Sequence, residues 1–131
     1  MEVTRIIHPI GQGAFYTESI KTNDNLYNVV YDCGSGNHKY TPKRLKQDIA
    51  SFYNPDDVID LLFISHFDND HINGIRELKK RTSNIRNIVV PLIEENDFWY
   101  YQIENPSFET FYRSLSEIAD SAVYRVKPYN E

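Results

Sequence analysis

The sequence predicts a layered α/β domain in which strands alternate with helices. Two observations predict it. Short β-branched and aromatic segments separated by Gly-rich and Asn-rich turns fill the first part of the chain, and two apolar runs further on alternate with segments of helical periodicity. With 131 residues, 40% of them hydrophobic, the chain has the size of one domain with a real core. We therefore predict a single domain over residues 1–131.

The first elements are three strands, predicted at 3–8, 14–20 and 27–31. Gly11 and Gly13 supply the first turn, and the polar segment 22–25 is typical of a hairpin connection. Thr41 and Pro42 then resemble an N-cap and a first helical residue. They predict a helix over 43–52.

A mostly apolar run at 58–64 has the length and composition of a buried strand. It leads into a short amphipathic helix over 71–81, and a second buried strand follows at 87–93. Aromatic residues at helical spacing predict helix within 97–120, with a helix entry at Asn105-Pro106-Ser107, and a last strand at 122–126.

Metal-ligand side chains are concentrated in residues 64–74, which read I-S-H-F-D-N-D-H-I-N-G. Four of them fall within six consecutive positions directly after the buried strand, namely His66, Asp68, Asp70 and His71. Imidazole and carboxylate groups together suit zinc, manganese or iron, and such clusters are typical of metal or catalytic sites. We predict that all four bind metal. The alternative is that Asp68, Asn69 and Asp70 only form a turn that caps the next helix.

The same segment resembles the H-x-H-x-D-H motif of the metallo-beta-lactamase superfamily, with Asp68 in place of the second histidine. This variant resembles the metallo-beta-lactamase-like domains related to bacterial DNA-uptake (competence) proteins. Two further segments are similar to those domains: residues 10–16 with their G-Q-G turn, and residues 29–35 with D-C-G after a strand. The resemblance covers about residues 3–93.

The resemblance implies an αβ/βα sandwich, of which this chain would be the N-terminal half, with a mixed or antiparallel sheet and flanking helices. It also implies a hydrolase that uses a metal-activated water and one or two zinc or manganese ions. Asp70 and His71 would hold one ion and His66 with Asp68 the other, while Asp70 could orient the water as a base. The Asp68 variant points to phosphodiesters, in nucleic acid or nucleotides, as the substrate.

In the superfamily a later histidine, a bridging aspartate and a final histidine complete a dinuclear site. Here no histidine follows His71, and the earlier His8 and His38 match no family position. We therefore expect this chain to be inactive alone. A missing C-terminal half, or a second copy in a homodimer, would cover the apolar sheet face. Two alternatives stay open: a non-catalytic half-domain that binds metal or a partner, and an acyl hydrolase acting on thioesters, lactones or β-lactams.

Composition adds weaker indications. A net charge of −5 gives no sign of a nucleic-acid surface, although basic residues cluster near the first helix at Lys39, Lys43, Arg44 and Lys46. The single cysteine, Cys33, fits a reducing compartment and is predicted to be buried and not a ligand. No apolar run has the length of a membrane span, and no signal-peptide pattern is present, so we predict a cytoplasmic protein. Residues 98–101 could stack on bases, but their spacing favours the core.

Overall fold

The computed structural model of the chain describes residues 1–36 and 42–128, without the side chain of Pro42. Thr41, with its predicted capping role, lies outside the described residues, as do His38 and Lys39. Within them one six-stranded sheet has its strands in chain order. The strands are β1 (Glu2–Ile7), β2 (Gly13–Lys21), β3 (Leu26–Ser35), β4 (Val58–Phe63), β5 (Asn84–Pro91) and β6 (Ala122–Val126).

The sheet is mixed. β1, β2 and β3 are antiparallel neighbours, and β3, β4, β5 and β6 pair in parallel. Parallel neighbours need crossover connections, and helices supply them here. These are α1 (Pro42–Phe52), α2 (Asn69–Ile72), α3 (Ile75–Arg81), α4 (Phe98–Glu104) and α5 (Phe108–Ile118), with a 3₁₀ turn at Glu95–Asp97 before α4. The predicted α/β class, with a mixed sheet and flanking helices, is confirmed.

The helices bury their apolar stripes against one face of the sheet. Ile49 of α1, Leu78 of α3 and Leu115 of α5 are almost fully buried, as are Leu62 and Ile88 of the central strands. The aromatic residues at helical spacing in α5 belong to this core, as predicted. In residues 98–101 the core interpretation is only partly right. Phe98 is buried and Tyr101 partly so, but Trp99 and Tyr100 are 66% and 59% exposed.

The opposite face of the sheet carries an apolar row that we call the open-face row. It consists of residues that pair in register across the parallel strands, namely Tyr31, Phe63, Val89 and Tyr124. Side chains of adjacent residues alternate between faces, so the row points away from its buried neighbours Val30 and Leu62. Tyr31 and Tyr124 are 45% and 55% exposed. Within the described residues no helix is long and apolar enough to cross a membrane.

Three predicted boundaries are wrong. β3 continues to Ser35 instead of ending at residue 31, and β5 covers 84–91 instead of 87–93 because it pairs with β4 from Val58 onward. The single helix predicted over 71–81 is two helices, α2 and α3. The break has a tertiary cause: the Gly74 amide donates to the Cys33 carbonyl at 2.8 Å, and the Asn73 side chain bonds both the amide and the carbonyl of Ser35.

Candidate metal centre

The candidate metal centre lies where β3 and β4 end at the same edge of the sheet. The rings of His66 and His71 approach to 3.9 Å between centroids. His66 Nε2 is 3.3 Å from Asp68 Oδ2, and His71 Nε2 is 3.8 Å from Asp70 Oδ1. The structure therefore brings all four sequence-predicted residues together, each histidine beside one carboxylate. Their assignment as ligands stays a prediction.

The turn-forming alternative accounts for only part of this geometry. Asp68 does occupy the N-cap position of α2, yet among the described residues its side chain makes no capping hydrogen bond. Its side chain is 62% exposed, whereas that of Asp70 is 24% exposed. A cap residue normally uses its side-chain oxygen to satisfy a free backbone amide of the first turn. The Asp68 carboxylate does not do so, and its Oδ2 lies 3.3 Å from His66 Nε2 instead.

Asp32 is a site residue to which the sequence assigned no role. Its side chain is 1% exposed. Oδ2 lies 2.9 Å from His71 Nδ1 and accepts a hydrogen bond from Ser65 Oγ at 2.5 Å, while Oδ1 accepts one from the Ser65 amide at 2.8 Å. Asp32 also has a left-handed backbone, with φ of 53°, which costs energy and is found mainly where function or packing demands it. Its place in the D-C-G segment directly after a predicted strand was the available signal.

Asp32, His66 and His71 together form a cluster that could hold a metal ion. Each offers one ligand atom, and these atoms lie within 4.8 Å of one another. The cluster shares both histidines with the sequence prediction and has Asp32 where the prediction has Asp68 and Asp70. Because the Asp32 oxygens already accept hydrogen bonds from Ser65 and lie against His71, proximity alone does not make Asp32 a ligand.

Two glycines allow α2 to approach the sheet closely. A Cβ at Gly34 would lie 2.6 Å from the Asp70 carbonyl oxygen, and one at Gly13 would lie 2.5 Å from it. Gly13 also has φ of +116°, a conformation that only glycine adopts without strain. The G-Q-G and D-C-G segments thus serve one purpose, which is to let the backbone that carries Asp70 and His71 pack on β2 and β3.

The loop between His66 and Asp68 is fixed from the other side by Phe67. This ring is 2% exposed and packs edge to face against Phe108 at 5.2 Å and Tyr112 at 5.4 Å, both in α5. Asn105 lies beside it, with its side-chain amide 3.5 Å from the Phe67 carbonyl. The aromatic core of α5 therefore supports the loop that carries the metal-binding motif.

The sequence model of the metallo-beta-lactamase superfamily matches residues 22–118, which is most of the chain. The chain belongs to the metallo-beta-lactamase superfamily. Among curated proteins, none matches it significantly. The predicted resemblance is confirmed at the level of the superfamily, while the DNA-uptake variant stays a prediction. Membership suggests a metal-dependent hydrolase, and the cluster at the edge of the sheet offers a site for the metal.

In this metallo-beta-lactamase superfamily member the donor set fits a divalent cation. His71 Nδ1 lies 2.9 Å from Asp32 Oδ2, and His66 Nδ1 lies 2.8 Å from Ser65 Oγ. The Nε2 atoms face carboxylates instead. Each Nε2 atom therefore has one carboxylate beside it, and such nitrogen and oxygen donors suit a divalent cation, although the ligand atoms that lie within 4.8 Å of one another are those of Asp32, His66 and His71. We conclude that the residues present can accommodate the metal that the superfamily implies.

The candidate metal-binding motif borders a cavity of about 330 Å³ whose lining includes Gln12, Asp68, Asp70 and Glu104. Three of these side chains are carboxylic acids, so the cavity is acidic. A second hollow of about 350 Å³ lies over the open-face row and reaches Ser65. This second hollow adjoins Ser65, but none of the four candidate ligands lines it.

Two other residues considered as ligands have structural roles. His8 lies against β2, with Nε2 2.9 Å from Thr17 Oγ1 and its ring stacked on Phe15 at 4.0 Å. Burial lowers the pKa of His8 below its ordinary value, although Asp48 opposes the shift. Cys33 is fully buried, as predicted, and burial raises the pKa of its thiol.

Proposed function

We propose that this chain takes part in hydrolysing phosphodiesters of nucleic acid or nucleotides, using zinc or manganese held by His66, Asp68, Asp70 and His71. One observation carries the proposal. Two histidine–carboxylate pairs, His66 with Asp68 and His71 with Asp70, stand side by side at one edge of the sheet. A single buried cysteine further supports a cytoplasmic location.

Each residue has a defined part in this proposal. A divalent cation bound here supplies Lewis acidity and lowers the pKa of a water molecule toward neutrality. The Asp70 side chain is partly exposed toward the acidic cavity and can accept the proton of the attacking water. Asp68 provides a hard oxygen donor where the family motif has an imidazole, which favours manganese relative to an all-histidine site.

The charge of the cavity makes metal necessary for binding as well as for chemistry. Asp68, Asp70 and Glu104 line it, and the chain carries a net charge of −5. A phosphodiester would be repelled by these carboxylates unless a cation neutralised them. We expect substrate binding to fail in the presence of a chelator.

The proposal includes a contribution from outside the described residues. No histidine follows His71, and the hollow over the apolar sheet face reaches Ser65, the residue next to His66. A C-terminal half or a second copy of this chain would cover that face and add the remaining ligands. If a second copy does so, the specific activity rises with protein concentration.

Metal analysis and turnover of the purified 131-residue chain test the proposal. We expect one to two manganese or zinc ions per chain and, where a second copy completes the site, metal-dependent hydrolysis of bis-p-nitrophenyl phosphate. Asp70→Ala should abolish this hydrolysis, and Asp24→Ala, at an exposed position in the β2–β3 turn, should leave it unchanged. At most one weakly bound ion and no turnover at any protein concentration would leave the non-catalytic half-domain as the better account of this chain.

Acyl hydrolysis is the second candidate, because the same metal-activated water attacks thioesters, lactones and β-lactams. A substrate panel separates the two. The phosphodiester should be turned over with the higher kcat/KM. A preference for the acyl substrates would contradict the assignment from Asp68 while leaving the metal site intact.

A further inference from the structure

We propose that Ser65 and Asp32 are positioning residues that fix the tautomers of both candidate histidine ligands. The inference rests on the proposed metal site, but it concerns the protein without its metal. It also assigns Asp32 a role other than that of a ligand, although Asp32 lies close enough to His66 and His71 to be one.

His71 contacts Asp32 directly. A carboxylate oxygen only accepts hydrogen bonds, and Asp32 Oδ2 lies 2.9 Å from His71 Nδ1. Nδ1 must therefore carry the proton. In a neutral ring this leaves the lone pair on Nε2, the atom that lies toward Asp70.

Ser65 extends the same constraint to His66. The Ser65 hydroxyl donates its one proton to Asp32 Oδ2, at 2.5 Å. Ser65 Oγ is also 2.8 Å from His66 Nδ1. Since the hydroxyl proton is already used, Oγ can only accept here, and His66 Nδ1 must donate. His66 is thereby also protonated on Nδ1, and its Nε2 is the atom that lies 3.3 Å from Asp68 Oδ2.

One buried carboxylate therefore sets both rings, directly for His71 and through Ser65 for His66. The Ser65 amide donates to Asp32 Oδ1 at 2.8 Å and holds the carboxylate in orientation. Asp32 has a left-handed backbone, and its side chain is only 1% exposed. Hydrogen bonds from metal-binding histidines to such partners fix ring orientation and tautomer in many metal sites.

The arrangement is asymmetric, and this gives a sharp test. Ser65→Ala removes the partner of His66 and leaves the contact between His71 and Asp32. Long-range ¹H–¹⁵N NMR of the metal-free protein, recorded where the ¹⁵N shifts no longer change as the pH is raised, reads each tautomer directly. We expect both rings to carry the proton on Nδ1 in the wild type. In Ser65→Ala only His66 should become a mixture of tautomers.

Two further variants separate positioning from a general loss of structure. Ser65→Thr keeps the hydroxyl and should restore the wild-type spectrum. Ser51→Ala, which removes an exposed hydroxyl bonded within α1, should change neither histidine. Zinc affinity, measured by competition with a chromophoric chelator, should fall about 10- to 100-fold in Ser65→Ala and recover in Ser65→Thr.

The outcomes distinguish this inference from the proposed function. A wild-type ring protonated on Nε2, or a Ser65→Ala spectrum with His66 unchanged, overturns the positioning role. If both tautomers are as expected but the wild type binds no metal, the proposed function fails and the positioning of the two rings stands. Should Ser65→Ala fail to fold, the wild-type and Ser65→Thr spectra still test the positioning role, because a ring protonated on Nε2 in either protein overturns it.

Discussion

At the scale of single residues, the contact of Gly34 with α2 gives a prediction. A Cβ added at Gly34 would lie 2.6 Å from backbone atoms of Asp70, which cannot move independently of α2. We expect Gly34→Ala to lower the free energy of unfolding by about 1–3 kcal/mol, as overpacking does. It should also weaken metal binding, because Asp70 and His71 are displaced together. Urea unfolding and chelator competition measure the two effects.

Gly36→Ala is the matched comparison. A Cβ at Gly36 would come no closer than 2.9 Å to Asp70, at its Cβ, whereas one at Gly34 would lie 2.6–2.8 Å from backbone atoms of Asp70 and His71. We expect a smaller loss of stability than for Gly34→Ala. Equal effects of the two substitutions would contradict the view that the backbone approach at Gly34 is what positions α2.

The residues of the site differ in how far the sequence could predict them. His66, Asp68, Asp70 and His71 are close in the chain, so their clustering is visible in the sequence alone. Asp32 lies 33 positions before Ser65 and meets it only because β3 and β4 are parallel neighbours. No local pattern in the sequence encodes that pairing. The D-C-G segment therefore indicated the resemblance to the family but not the contact between Asp32 and Ser65.

At the scale of elements, α5 supports the metal-binding loop through Phe67. We expect Phe67→Ala to cost about 3–5 kcal/mol of stability, as for other buried aromatic residues. Metal affinity of the folded protein should fall too, since the loop between His66 and Asp68 loses its packing. Phe98→Ala is the control: Phe98 contacts Phe108 and Tyr112 as well but lies outside the loop. It should lower stability and leave metal affinity unchanged.

The junction of α3 with β5 and β6 predicts a pH dependence. Lys79 Nζ lies 2.6 Å from Asp120 Oδ2, which also accepts a hydrogen bond from the Ile85 amide. The Lys79 hydrogen bond lowers the pKa of Asp120 below its ordinary 3.8. Because the pKa of Asp120 is lower in the folded protein than in the unfolded chain, its contribution to stability is complete above pH 3.8. The contribution is lost as the pH falls through the pKa that Asp120 has in the folded protein.

Asp120→Asn should therefore reduce stability by about 1 kcal/mol at pH 7, a modest amount because both side chains are partly exposed. The difference from wild type should shrink progressively below pH 3.8. Urea unfolding of both proteins across this range provides the measurement. A difference independent of pH would show that the ion pair does not supply the stabilisation.

Element types were more predictable than element ends. Apolar runs and helical spacing located each strand and helix, because burial on one face imposes a period on the sequence. The break between α2 and α3 was not predictable, since hydrogen bonds from Asn73 and Gly74 to β3 create it. Without these bonds the periodicity of residues 71–81 is that of one helix.

At the scale of the whole molecule, the sheet has one face packed against helices and one with exposed aromatic residues. The open-face row continues through Tyr16 of β2 to Ile7 of β1, which is 83% exposed. The charged neighbours Arg5 and Glu18 pair with each other across β1 and β2, at 3.1 Å. The face therefore combines a continuous apolar row with a neutralised ion pair, and such a surface favours association.

We predict that the 131-residue chain self-associates through this face, because an identical copy presents the same apolar row to it. Light scattering after size exclusion should give a dimer. Tyr31→Lys and Tyr124→Lys should shift it to monomer, since each places a charge in the row. Tyr100→Lys, at an exposed position of α4, should not. A wild-type monomer at all concentrations would exclude the second copy as the cover of this face. It would leave the role to another polypeptide segment, such as a C-terminal half.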